Sequence, residues 1–205
     1  MVRRILPVLL ALAGLVLAGC GDYGTVEQGR TVAFDKAKGV ISIIKDTGIV
    51  DRNPQYTVLP AHDFILPTDP AERGADPSVG LRMRIDVEKK TITMYNPGKK
   101  EFDVIAVEVV ANHQNVDLRR RHPLVWDAAT NKAIKFPKVN ATDRTVEIYS
   151  RRQRMVTTIK LADADFNRYK EQDWDAGDEV RLYYKKDGVA LRFMNVTKTD
   201  VTRRR

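Results

Sequence analysis

Leu81-Arg82-Met83-Arg84-Ile85-Asp86-Val87 puts an apolar residue at every second position, with Arg, Arg and Asp between them. Successive side chains of a β-strand point to opposite faces, so this run buries one face and turns its charges to water. The pattern returns in residues 91–95 with Ile92 and Met94, just past Glu88-Lys89, and Asn96-Pro97-Gly98 then turns the chain into residues 102–110. Strands with one buried face joined by short turns make an antiparallel meander.

Outward from this meander the strand signals recur. Val32 and Phe34 lead through the turn Asp35-Lys36-Ala37-Lys38-Gly39 into Val40-Ile41-Ser42-Ile43-Ile44, and residues 56–59 and 64–66 are short apolar runs between prolines. Residues 67–80 hold Pro67, Pro70 and Pro77 and read as a loop, a candidate internal boundary. Residues 111–143 read as irregular, and residues 144–149 and 155–161 as a strand pair. Val180, Leu182 and Tyr184 alternate, Lys186-Asp187-Gly188 turns the chain, and residues 189–196 pair back. One helix is predicted over 163–172, with Asp163 and Asp165 at its start and Phe166 and Tyr169 on one face. No internal repeat at a fixed period is visible, and the class is mainly β with one short helix.

The two ends of this pattern resemble a known fold. Residues 32–44 resemble the first hairpin of cold-shock-like OB-folds, and Gly177-Asp178-Glu179-Val180-Arg181-Leu182, followed by Ala190 and Asn195-Val196, resembles their last. The resemblance implies a mainly β domain: an antiparallel meander and small Greek-key (OB-like) barrel with an inserted β region and one short helix. It places residues 31–45 and 177–197 side by side in one sheet. Function does not follow with it. Cold-shock domains stack bases on aromatics of that first hairpin, and the matching positions are Ala33, Val40 and Ser42, while Phe34 alternates with Val32 as core. Nucleic acid is therefore not an expected partner, and contact with protein or glycan is.

The start of the chain carries an address. Arg3 and Arg4 precede an apolar run over residues 5–18, followed by Gly19-Cys20-Gly21. A membrane-spanning helix needs roughly 20 apolar residues, so the run suits an export signal better than an anchor. Leu17-Ala18-Gly19-Cys20 resembles the lipobox of bacterial lipoproteins. That resemblance implies a signal peptide over 1–19, cleavage before Cys20, acylation of Cys20 with palmitate among its chains, and a lipid anchor on the cell envelope. An aspartate at position 21 would resemble an inner-membrane retention signal; Gly21 stands there, and the expected address is the outer membrane facing the periplasm. The domain plan is then signal peptide 1–19, tether 20–30, a single mainly-β domain over 31–202 and a basic tail over 203–205.

Composition and motifs narrow the chemistry. Cys20 is the only cysteine, which excludes disulfides, cysteine metal sites and a thiol nucleophile from the mature domain. The formal charge is +8, and loss of Arg3 and Arg4 with the signal leaves +6. At an envelope address such a balance suits anionic lipid headgroups, peptidoglycan or an acidic partner. His62, His113 and His122 lack metal-ligand spacing, and the acidic stretch 173–179 lacks the spacing and distal glutamate of an EF-hand, reading as a tight turn. Ser42, Ser78 and Ser150 stand in no nucleophile motif, and no Gly-rich phosphate loop occurs. Neither enzyme activity nor a cofactor or metal is expected.

What remains is arginine. Arg119, Arg120 and Arg121 precede His122 in the irregular middle, Arg151, Arg152 and Arg154 crowd a hairpin turn, and Arg203, Arg204 and Arg205 end the chain. The planar guanidinium favours phosphate and carboxylate, and loops and termini can reach a surface. The first expectation is a non-catalytic envelope lipoprotein acting as a binding or assembly module for a protein partner. The alternative is a structural lipoprotein that binds an anionic polymer or lipopolysaccharide through these clusters. An envelope enzyme or metal-handling protein ranks third.

Overall fold

The computed structural model describes residues 23–48 and 54–199. In chain order the strands are β1 (Thr25–Asp35), β2 (Val40–Lys45), β3 (His62–Ile65), β4 (Arg82–Asp86), β5 (Thr91–Asn96), β6 (Glu101–Ala106) and β7 (Glu108–Gln114). The short strands β8 (Trp126–Asp127), β9 (Lys132–Ala133) and β10 (Lys138–Asn140) lead to β11 (Thr145–Ser150) and β12 (Met155–Lys160). The helix α1 (Asp163–Phe166) precedes the final hairpin, β13 (Glu179–Lys186) and β14 (Val189–Asn195).

The two ends of the chain close a five-stranded barrel in the order β1-β13-β14-β3-β2. β1 pairs with β13 on one side, Gly29 opposite Val180, and with β2 on the other, Arg30 opposite Ile44. The expected adjacency of the first and last hairpins is therefore present. β14 runs parallel to β3, meeting it at Val189 and Ile65, and all the other barrel pairings are antiparallel. This is a mainly β chain with a small OB-type barrel, and the remaining sheets are inserted between β3 and β13. Ile41, Ile43, Phe64, Val180, Leu182 and Phe193 fill the barrel.

A larger core lies outside the barrel wall. Val32, Ile44 and Tyr56 on the barrel side pack with Met83, Ile92 and Met94 of the meander β4-β5-β6, with Ile148 and Ile159 of the sheet β10-β11-β12-β7, and with Trp174. A bulge in β1 makes this possible. Thr31 pairs with Ile43 and Ala33 with Ser42, which leaves Val32 as an extra residue. Val32 joins the outer core while Phe34 packs against the barrel core, so the two do not share one face as their spacing predicts.

Other boundaries differ for similar reasons. The stretch read as tether is β-structure from Thr25, because its backbone pairs with β13 despite its polar composition. The loop 67–80 is laced to β14, with Phe193 N donating to the Glu72 carbonyl and Gly74 N to the Phe193 carbonyl, both at 2.9 Å. Residues 102–110 are two strands, since the chain leaves one sheet at Ala106 and enters another at Glu108. The irregular middle contributes the end of β7 and the short strands β8 to β10. The helix is a single turn, and a 3-10 turn over Glu171–Trp174 follows. Burying Trp174, 1% exposed, beside Tyr169 at 5.2 Å between rings takes the chain out of the helix.

Candidate functional site

The seam between barrel and insertion is made by backbone. Thr31 N donates to the Asp178 carbonyl, Leu81 N to that of Asp173 and Arg82 N to that of Asp175, each at 3.0 Å. Two glycines allow the approach: a Cβ on Gly80 would stand 2.2 Å from the Asp175 carbonyl oxygen, and one on Gly177, at φ +70°, 2.2 Å from that of Thr31. The acidic stretch 173–179 is thus a brace between β1 and β4, with Trp174 as its apolar anchor.

Beside this brace opens a cleft of about 640 Å³, bounded by β1, β13 and the turn between β11 and β12. Seven arginines line it: Arg30 and Arg82 deep inside, Arg119, Arg151, Arg152 and Arg154 from the loops, and Arg181 from β13. Four carboxylates share it, namely Asp117, Asp175, Asp178 and Glu179. Three of these are in ion pairs, and Asp175 accepts from Ala176 N. Asp117 pairs with Arg154 at 3.5 Å, Glu179 with Arg152 at 3.0 Å, and Asp178 with Lys198 at 3.2 Å while accepting from Ser78 N and Asn195 Nδ2. Asp46 also holds Arg152. Arg30, Arg82, Arg119, Arg151 and Arg181 make no ion pair with a carboxylate among the described residues; Arg151 donates to the Thr197 carbonyl and Arg181 to Gln28 Oε1.

Arg30 and Arg82 sit apart from the rest in being buried, at 7% and 3% exposed. Arg30 donates to the Arg82 carbonyl at 3.2 Å and holds its guanidinium 4.6 Å over the Tyr56 ring. Arg82 Nε donates to the Trp174 carbonyl at 3.1 Å. Burial, and then the charge of Arg30 beside it, pushes Arg82 down to about 9.

Of the arginines singled out from the sequence, Arg119, Arg151, Arg152 and Arg154 come together here. β7 and β12 bring them together by pairing Gln114 with Met155, with Val116 N bonded to the Arg154 carbonyl beyond the pair. Arg120 and Arg121 do not line the cleft, and Arg121 lies 4.9 Å over the Trp126 ring instead. Arg203, Arg204 and Arg205, and the lipidation position Cys20, lie outside the described residues. Arg30, Arg82 and Arg181 were not foreseen, because each is a single arginine in a strand rather than part of a run.

A buried carboxylate lies at one end of the barrel. Glu27, 4% exposed, meets His62 Nδ1 at 3.2 Å and the Tyr184 hydroxyl at 3.3 Å, and His62 Nε2 reaches Asp187 at 2.9 Å. His62 packs against Phe64, the rings tilted by 44° with centroids 4.1 Å apart. Among the described residues no group of three His, Cys, Asp or Glu is placed to hold a metal ion.

A family model described as Domain of unknown function (DUF4881) matches residues 22–204, and the chain belongs to that family. No curated protein and no solved structure matches the chain.

Proposed function

We propose that this member of the DUF4881 family is a non-catalytic lipoprotein, anchored through Cys20 on the periplasmic face of the outer membrane, whose cleft binds an anionic group of the envelope. One observation carries the reading: arginines from five separate segments converge on one cleft, and five of the seven have no carboxylate partner there. Uncompensated guanidinium groups gathered in a concave site favour phosphate or carboxylate, and attract it over a range set by salt. The anchor confines the domain to a surface where such groups are dense.

The barrel and the cleft are formed within residues 23–199, so a chain of residues 21–205 is the material for a test. It should bind vesicles containing phosphatidylglycerol and ignore phosphatidylcholine, and the attraction should weaken steeply as salt approaches physiological strength. Replacing the exposed Arg119, Arg151 and Arg181 together by Ala should lower affinity roughly a hundredfold, since a basic group near an anionic surface contributes about 1 kcal/mol. Equal binding to neutral and anionic vesicles would refute the reading.

A protein partner is the second reading, favoured by an apolar strip on the outer barrel face. Val26, Leu191 and Met194 are exposed there and flank Tyr183. Capture of a partner that is indifferent to salt and lost on Val26→Asp would favour it.

A further inference from the structure

The cations at the floor of the cleft differ from those at its rim in what they lack. A guanidinium has five N–H donors. Arg30 gives a side-chain donor to the Arg82 carbonyl and also acts on the Tyr56 hydroxyl, and Arg82 gives one to the Trp174 carbonyl. Among the described residues the one fully buried side-chain nitrogen or oxygen without a hydrogen-bond partner is Arg144 Nε, so no nitrogen of Arg30 or Arg82 is both sealed in and unpartnered, and both residues line the cleft. Asp175 acts on Arg82 through space but forms no ion pair with it.

We infer that Arg30 and Arg82 form a subsite for a phosphoryl dianion, either a phosphomonoester on an envelope lipid headgroup or free inorganic phosphate. The inference rests on the reading of the cleft as an anion site and names its ligand. Two adjacent guanidinium groups carry two positive charges that no carboxylate among the described residues pairs by contact, Asp175 acting on Arg82 only through space, and a dianion matches them. A phosphomonoester supplies between about 1.5 and 2 at neutral pH, with three oxygens to share between two planar forks. A carboxylate or a phosphodiester supplies one. The rim arginines Arg119 and Arg151 also line the cleft, and the Arg30 guanidinium lies over the Tyr56 ring. The downward pressure on Arg82 from burial and from Arg30 is what a bound dianion would relieve.

The experiment is titration calorimetry of the 21–205 chain with inorganic phosphate, near neutral pH and at matched ionic strength against chloride. A second arm measures binding to vesicles containing phosphatidic acid, a monoester, or phosphatidylglycerol, a diester, at equal surface charge. Saturable phosphate binding is expected, weakened roughly tenfold or more by Arg82→Gln and by Arg30→Gln, as loss of charge-assisted hydrogen bonds requires. If Arg82→Gln does not fold, Arg30→Gln carries the same comparison, with Arg120→Ala, which lies outside the cleft, as a control that keeps phosphate binding. A preference for phosphatidic acid identifies a headgroup as the source; phosphate binding without that preference identifies the free ion. No saturable phosphate binding, or binding untouched by both floor substitutions, overturns the inference. Attraction to both anionic vesicles without phosphate binding would leave the surface reading standing and this one fallen. Phosphate binding without attraction to any vesicle would do the reverse.

Discussion

Two buried charges stand three residues apart on β1, and the fold treats them differently. Glu27 points into the barrel, where β3 supplies His62 and β13 supplies Tyr184 within 3.3 Å, and His62 in turn has Asp187. Arg30 lies on the opposite face of the strand, buried only because the insertion covers it, with a backbone carbonyl and an aromatic ring for company and a second arginine beside it. A buried charge is tolerated when it is paired and hydrogen-bonded. Inside the barrel the protein supplies the pairing. At the seam it does not, and the seam opens to solvent. The contrast separates a structural carboxylate from cations held for something outside the chain.

Removing each charge in turn tests that contrast. Glu27→Ala should have the largest effect, about 2–3 kcal/mol of lost stability. It strips both the Tyr184 hydroxyl and His62 of a buried acceptor and leaves space at the barrel end. The partial exposure of His62 keeps the figure below that of a wholly buried pair. Urea unfolding near neutral pH measures it. A change within about 0.5 kcal/mol, ordinary for a surface position, would show that Glu27 is not held as the distances say.

Arg82→Met should go the other way, or nowhere. In chloride buffer it removes a desolvated cation and its repulsion with Arg30, and gives up one hydrogen bond to the Trp174 carbonyl. Replacing a buried charge by an apolar side chain of similar volume is often neutral or stabilising, so the net change should stay within about 1 kcal/mol of zero. A loss as large as that of Glu27→Ala would mean that Arg82 already has its counter-charge inside the fold, and the comparison would collapse.

The fold was largely legible because alternation states which face is buried. Ile85, Ile92 and Met94 lie in the core where the pattern puts them, and the hairpin signals at residues 32–44 and 180–196 mark the strands that close the barrel. The site was legible only in part. The arginine runs at 119–121 and 151–154 declared themselves as loops, but their meeting depends on the pairing of β7 with β12, which no local pattern encodes. Arg82 was assigned to solvent by the same alternation that found the meander. A register shift between Arg82 and Arg84 breaks the period there, and Leu81, Arg82 and Met83 are all buried in succession. Arg30 sat in a stretch whose glycine and polar residues read as a tether. Gly29 is there because Ile44 packs too close for a Cβ, whose position would be 2.4 Å from the Ile44 carbonyl oxygen. Burial of both cations comes from residues distant in sequence, Tyr56 and Trp174 among them.

The smallest effect concerns Tyr184, and it reads the Glu27 side of the comparison through pH. Burial first, and then the neighbouring charge of Glu27, holds the phenol proton of Tyr184 above its ordinary value near 10. The unfolded chain releases that proton near pH 10 while the folded chain still keeps it. The folded state therefore binds more protons in that window, and stability is lost as pH rises past 10. Tyr56, Tyr95, Tyr149 and Tyr169 are shifted the same way, Tyr169 up to about 12, so the wild-type chain loses stability steadily on the alkaline side. Tyr184→Phe removes one contributor. At neutral pH it should cost about 0.5 kcal/mol, the low end for a hydrogen bond, because the contact with Glu27 is long. Above pH 10 it should lose stability less steeply than the wild-type chain, so that the two urea midpoints converge. The double variant with Glu27→Gln keeps a neutral acceptor in place of the charge, and it should show no further change in slope. A midpoint difference that stays constant from pH 7 to 11 would mean that Tyr184 and Glu27 do not sense one another, and that the barrel end leaves its carboxylate as unattended as the seam leaves its arginines.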